Sequence, residues 1–135
     1  MAHYKATYLG DLRTNVTHIK SGTQIITDAP TDNHGKGEAF SPTDLASASL
    51  GSCMATIMGI FANKHEITLP KFHYETEKIM ASNPRRIDSI KIHFTFEENT
   101  LSDEEKLKLE RAAKTCPVAL SLHPDIKQEV SFDFN

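Results

Sequence analysis

The sequence has no tryptophan, no C-x-x-C pair, and only two cysteines, Cys53 and Cys116, in 135 residues. Its seven histidines include no pair at a tight ligand spacing, so nothing points to a thiolate or imidazole metal site, and no metal or cofactor is expected. An excess of cations is also missing: the net charge of -3 gives no electrostatic footprint for nucleic acid or anionic lipid. The opening residues, Met-Ala-His-Tyr-Lys, lack the apolar run of a secretory signal, so a cytoplasmic location with reduced thiols is expected. No G-x-S-x-G elbow is present. The glycines around His34 do not follow a strand and open a helix, so no dinucleotide is implied. The longest apolar stretch, Leu45 to Ala62, is broken by serines, Thr56 and glycines, and falls short of the roughly 20 residues of a membrane span. It reads as a buried helix of a soluble protein with no membrane partner.

What is present suffices for one domain, residues 1–135: 39% apolar residues and 24% charged ones, without repeat or linker. Residues 3–9 alternate Tyr4, Ala6 and Tyr8 with polar neighbours, the period of a half-buried strand. Short strands follow over 15–20 and 23–28, turning at Ser21-Gly22, and 29–38 is loop by composition. Ser41, Pro42 and Asp44 then form a helix start, and the helix should run to residue 63 or 65. Its apolar face takes Ala46, Leu50, Cys53, Met54, Ile57, Met58 and Phe61, while the other face holds small residues rather than charges. Such a helix should be buried nearly all round. A length of some 22 residues, about 33 Å at the helical rise, exceeds what one small chain can cover, so a homodimer is expected.

A hairpin over 71–80 and 88–96 follows, with Ile90, Ile92, Phe94 and Phe96 on one face. A second helix opens at Ser102-Asp-Glu-Glu105 and ends at Pro117, leaving Cys116 at a helix boundary. A short turn at 117–122 and a last strand at 129–134 complete an α+β pattern.

A lone cysteine on a buried helix is usually a small hydrophobe, the ordinary reading for Cys53. Cys116 precedes a new helical turn, whose N–H groups would lower a thiol pKa. Cys53 lies three turns into its helix, beyond such help, and needs a neighbour. Arg13 and His18 are the candidates in the strand region.

Phe-Ser-Pro-Thr-Asp-Leu-Ala-Ser-Ala-Ser-Leu-Gly-Ser-Cys-Met (residues 40–54) and Cys-Pro-Val-Ala-Leu-Ser-Leu-His-Pro (residues 116–124) resemble the two cysteine segments of the OsmC-like and organic hydroperoxide resistance (Ohr) proteins. Thr27-Asp-Ala-Pro30 and Met80 with Pro84-Arg-Arg86 add to the likeness, which spans nearly the whole chain. The resemblance implies an intertwined α+β homodimer whose long central helices are enclosed by antiparallel sheets, with active sites at the interface. It implies that Cys53 attacks a hydroperoxide and that Cys116 resolves the sulfenic acid to a disulfide, which a lipoyl-type dithiol then reduces. Met54, Ile57 and Phe61, with Met58, are the candidate wall for an organic hydroperoxide. Arg13 matches the family's activating arginine by its distance from Cys53. The family's glutamate position is Thr43 here, which cannot form a salt bridge. Asp44 beside it points about 100° away around the helix and has its own capping role. His18 or the 32–34 loop are the remaining candidates for activating Cys53. Two alternatives stay open: a redox-sensing or small-molecule-binding member without useful turnover, favoured by Thr43, and thiol-based acyl transfer at Cys53.

Overall fold

The computed structural model describes all 135 residues and places six strands and three α-helices. They fall into two compact units, Met1–Ala46 and Ser47–Asn135.

The first unit is an antiparallel sheet of β1 (Tyr4–Gly10), β2 (Arg13–His18) and β3 (Gln24–Asp28), in that order. Gly22, at φ +77°, makes the β2–β3 turn as its N–H donates to the His18 carbonyl. The loop after β3 contains one 3-10 turn, Thr31–Asn33. The half-buried β1 expected from its alternation is not found: Tyr4 and Tyr8 are 64% and 65% exposed, and no residue of the strand is buried. Alternation selects a face, but a face is buried only where a second layer lies on it. Burial in this sheet is confined to Thr27 and Asp28, at the end of β3.

Helix α1 (Pro42–Lys64) begins where Ser41 and Asp44 exchange hydrogen bonds: the Asp44 N–H donates to Ser41 Oγ at 3.1 Å, and the Ser41 N–H to the Asp44 carboxylate at 3.0 Å. That reciprocal cap occupies both residues.

The second unit holds the core. Antiparallel β4 (Phe72–Ala81) and β5 (Arg86–Phe96) are joined by β6 (Lys127–Asp133), which pairs parallel to β5. Helices α2 (Asp103–Lys114) and α3 (Pro117–Ser121) lie between β5 and β6 in the chain, the crossover that a parallel pair requires. Ile90, Ile92, Phe94 and Phe96 are at most 1% exposed, as the β5 alternation predicts, and Phe94 stacks on Phe132 with ring centroids 5.1 Å apart. Against them pack Leu50, Met54, Met58 and Ala62 of α1 and Leu109 and Ala113 of α2. The Ser102 cap of α2 is a complete capping box with Glu105.

Helix α1 is long and apolar enough to cross a membrane by length and composition alone. Within the single chain it is buried on one face, Ser47, Leu50, Gly51, Met54, Met58 and Ala62, as expected of a helix that one small chain cannot cover. Ser49, Ser52, Thr56 and Ile60 on the far side are exposed. One three-stranded sheet can cover one side of a helix and no more. Gly51 sits where α1 meets β4: a Cβ there would lie 2.9 Å from the Tyr74 ring.

Candidate functional site: a cysteine pair in the second unit

Both cysteines are free thiols in the second unit. Cys53 sits midway along α1, half-buried beside the core; Cys116 is fully buried within it. Pro117, at the first position of α3, leaves Cys116 in extended geometry (φ -68°, ψ 152°) as its N-cap. Its sulfur accepts the Ala119 N–H at 3.4 Å. This is the helix-start arrangement expected to acidify the thiol, yet the balance goes the other way. Burial pushes the Cys116 pKa up, and it outweighs the Ala119 and Val118 N–H groups that pull it down. The neighbouring Cys53 thiol raises it further. The two sulfurs, a little over sixty residues apart in sequence, are thus neighbours with unequal access to solvent.

Three candidate pocket residues divide. Met54 is wholly buried in the core. Ile57 and Phe61 are half-buried and line a groove of about 500 Å³ between α1 and α2.

The remaining candidates belong to the first unit. Arg13, on β2, faces its cross-strand partner Asp28 and forms a two-point ion pair, Nε to Oδ1 at 2.7 Å and Nη2 to Oδ2 at 2.8 Å. The same Nη2 donates to Glu38 Oε1 at 2.8 Å, and the Glu38 N–H returns to Asp28 Oδ2 at 3.1 Å. The Arg13 guanidinium holds the Asp28 carboxyl below the usual carboxylate range, against its burial at 1% exposed. Sequence reading passed over both carboxylates. The only signal was an acid at the end of β3 in register with Arg13, and register is not legible before the turn is placed. Alongside them the Thr14 and Thr27 hydroxyls are hydrogen-bonded. His18 is engaged by the turn it precedes, Nδ1 to Ser21 Oγ at 2.6 Å. Thr43 Oγ1 lies 3.3 Å from Ser41 Oγ, and Asp44 is the cap already described.

An α+β chain with two unlike, adjacent thiols on a long helix and a Pro-started turn defines a two-cysteine protein class with a known family pattern. The sequence profile of the OsmC-like proteins matches residues 35–131, and the chain belongs to that family. A solved structure from Psychrobacter arcticus 273-4, described as an osmotic stress induced and detoxification response protein, is 50% identical. It superposes with a TM-score of 0.93, over 98% of this chain and 96% of that one. The fold is shared with two more distant proteins. An organic hydroperoxide resistance protein OsmC from Legionella pneumophila is 19% identical over 96% of this chain and 94% of its own, with a TM-score of 0.77. An organic hydroperoxide resistance protein from Vibrio cholerae, with captopril bound in one of its active sites, is 17% identical over 98% and 92%, with a TM-score of 0.74. No curated protein sequence matches the chain. The family relates the protein to stress response and organic hydroperoxide resistance.

Proposed function

We propose that this protein is a cysteine-dependent peroxidase that reduces organic hydroperoxides in the cytoplasm, and that it works as a homodimer. The observation that carries this reading is the asymmetry of the cysteine pair: a half-buried thiol within reach of a hydroperoxide, backed by a fully buried one.

The Cys53 thiolate attacks the terminal oxygen of ROOH. The O–O bond breaks, the alkoxide leaves and takes a proton to become ROH, and Cys53 is left as a sulfenic acid. The Cys116 sulfur then attacks the Cys53 sulfur, the S–O bond breaks, and the hydroxyl leaves with the Cys116 proton as water. A lipoyl-type dithiol reduces the resulting disulfide by exchange, closing a two-electron cycle. A raised Cys116 pKa suits the second role: Cys116 stays protonated and unreactive until the sulfenic acid forms beside it.

The dimer reading rests on bare uncharged and aromatic surface. Ser52, Thr56 and Gly59 form an uncharged stripe on α1, and Tyr4 and Tyr8 lie open on β1. Thr56→Arg should turn a dimer into a monomer in sedimentation velocity; an unchanged monomer for the parent chain would remove the proposal.

The peroxidase test is a thiol count by mass spectrometry before and after one equivalent of an alkyl hydroperoxide, with turnover measured on a lipoyl dithiol. The expected result is rapid loss of both thiols into one intramolecular disulfide, no turnover in Cys53→Ser, and over-oxidation of Cys53 in Cys116→Ser. Thiols that stay free, or react only as fast as a free thiol, would overturn it. A binding or redox-sensing role without turnover is then the alternative, favoured by Arg13 being already engaged by Asp28 and Glu38 while Thr43 offers no carboxylate.

A further inference from the structure

Cys116 has two roles in the fold, and oxidation sets them against each other. Its sulfur caps the start of α3, accepting the Ala119 N–H at 3.4 Å. The same sulfur is the neighbour of Cys53 with which it would form a disulfide. Bonding two sulfurs that now only lie side by side draws them together, so one side or the other must yield.

The two sides differ in stiffness. Cys53 lies in the middle of the 23-residue α1, whose Leu50, Met54 and Met58 are locked in the core. Cys116 lies in the extended joint before α3, which is five residues long. A helix that short has no stability of its own and depends on its cap and its ties. Val118, Ala119 and Leu122 rest on the core only in part, and Leu120 is 73% exposed. The remaining side-chain ties are two: Gln128 Nε2 donates to the Ala119 carbonyl at 3.0 Å, and Ser121 Oγ to the Pro117 carbonyl at 2.7 Å. The movement therefore falls on Cys116 and α3, and the Ala119 N–H loses its acceptor as the sulfur turns to Cys53.

We propose that α3 is a redox-operated gate: the Cys53–Cys116 disulfide uncaps it, and its loosening opens the buried Cys116 sulfur to the dithiol that reduces the pair. In thiol–disulfide exchange the incoming thiolate attacks one sulfur and expels the other. Attack on Cys116 expels Cys53, the half-buried sulfur, as the thiolate that begins the next cycle. The second thiol of the reductant then displaces Cys116. The reductant is left as a cyclic disulfide, and its two hydrogens end on the protein thiols. The gating rests on the peroxidase reading; the uncapping does not, because any oxidant that joins the two sulfurs produces it.

The experiment compares amide exchange in the full chain, reduced and after oxidation by diamide, which takes one hydrogen from each thiol and becomes the hydrazine. Intact mass confirms the disulfide. Exchange at Ala119, Leu120 and Leu122 should rise about fivefold on oxidation, the effect of losing a side-chain cap, while α2, capped by Ser102, should not change. Gln128→Ala removes a tie that holds α3 closed. Reduction of its disulfide by dithiothreitol should run about fivefold faster than in the parent, the worth of one hydrogen bond. The rate at which its Cys53 reacts with an alkyl hydroperoxide should stay as in the parent. Unchanged exchange in α3 of the oxidised protein would overturn the proposal, as would failure of diamide to join the two sulfurs. An unaltered reduction rate in Gln128→Ala would remove the gate. A failure of the peroxidase reading looks different: diamide forms the disulfide and the alkyl hydroperoxide does not.

Discussion

The two units of this chain are held together by different physics. The second has a continuous core: four β5 side chains, four from α1 and two from α2 are essentially out of water. The first buries only Thr27 and Asp28 from its three strands, and its side-chain order comes from one arginine shared between two carboxylates. Apolar burial is non-directional and scales with area, whereas an ion-pair clamp is directional and depends on protonation. The cysteine pair sits in the unit with the core, where packing holds two sulfurs side by side without a bond between them. The arginine sits in the unit whose order is electrostatic.

The largest effect that would sharpen this contrast is Phe94→Ala. Phe94 is wholly buried and contacts the rings of Phe72, Tyr74 and Phe132. Its loss should cost about 3–5 kcal/mol by denaturant unfolding. The matching truncation on β1, Tyr8→Ala, should cost far less in a monomeric sample, since Tyr8 is exposed. Similar costs in the two units would break the comparison.

Next is Gly51→Ala. The added methyl meets the Tyr74 ring at 2.9 Å, so the ring or the elements carrying it must shift. The cost should be about 1–3 kcal/mol, as for overpacking, although alanine is the better helix former. A gain in thermal midpoint would show that the ring moves aside freely. Smaller again is Ser102→Ala, which removes the hydroxyl accepting the Glu105 N–H at 3.1 Å and should cost about 1 kcal/mol.

The same contrast explains what could be read from the sequence. The β5 alternation and the Ser102 capping box were legible because each is a local pattern with one structural solution. The β1 alternation looks the same on paper, yet its tyrosines are open, because what covers a face is a matter of the whole assembly. The parallel seat of β6 was not legible, since alternation carries no strand direction. Neither was the Arg13–Asp28–Glu38 clamp, which depends on strand register and a loop. The cysteines were each ambiguous alone, and only the resemblance paired them. The direction of the Cys116 shift was misjudged from sequence because the helix start is local and visible, while burial is not.

The smallest effects appear at opposite ends of the pH scale, and they separate the units most cleanly. Asp28 has its folded pKa depressed by Arg13, so its contribution is complete above the ordinary carboxylate value of about 3.9 and is lost as pH falls through the lower folded value. Cys116 has its folded pKa raised by burial, so its contribution is complete below the ordinary thiol value of about 8.5 and is lost as pH rises through the higher folded value. Residue-resolved amide exchange should therefore show β2 and β3 opening first in acid, an effect that Asp28→Asn flattens and Glu38→Gln, at a 66% exposed side chain, barely touches. At high pH the α2–α3 junction around Cys116 should loosen instead, and Cys116→Ala should remove that response. Alkylation of the reduced protein gives the chemical counterpart: Cys53 should label before Cys116 at neutral pH, because the buried thiol is both shielded and protonated. Equal labelling rates would mean that the pair shares its proton and access freely, and the division of labour proposed for the two sulfurs would go with it.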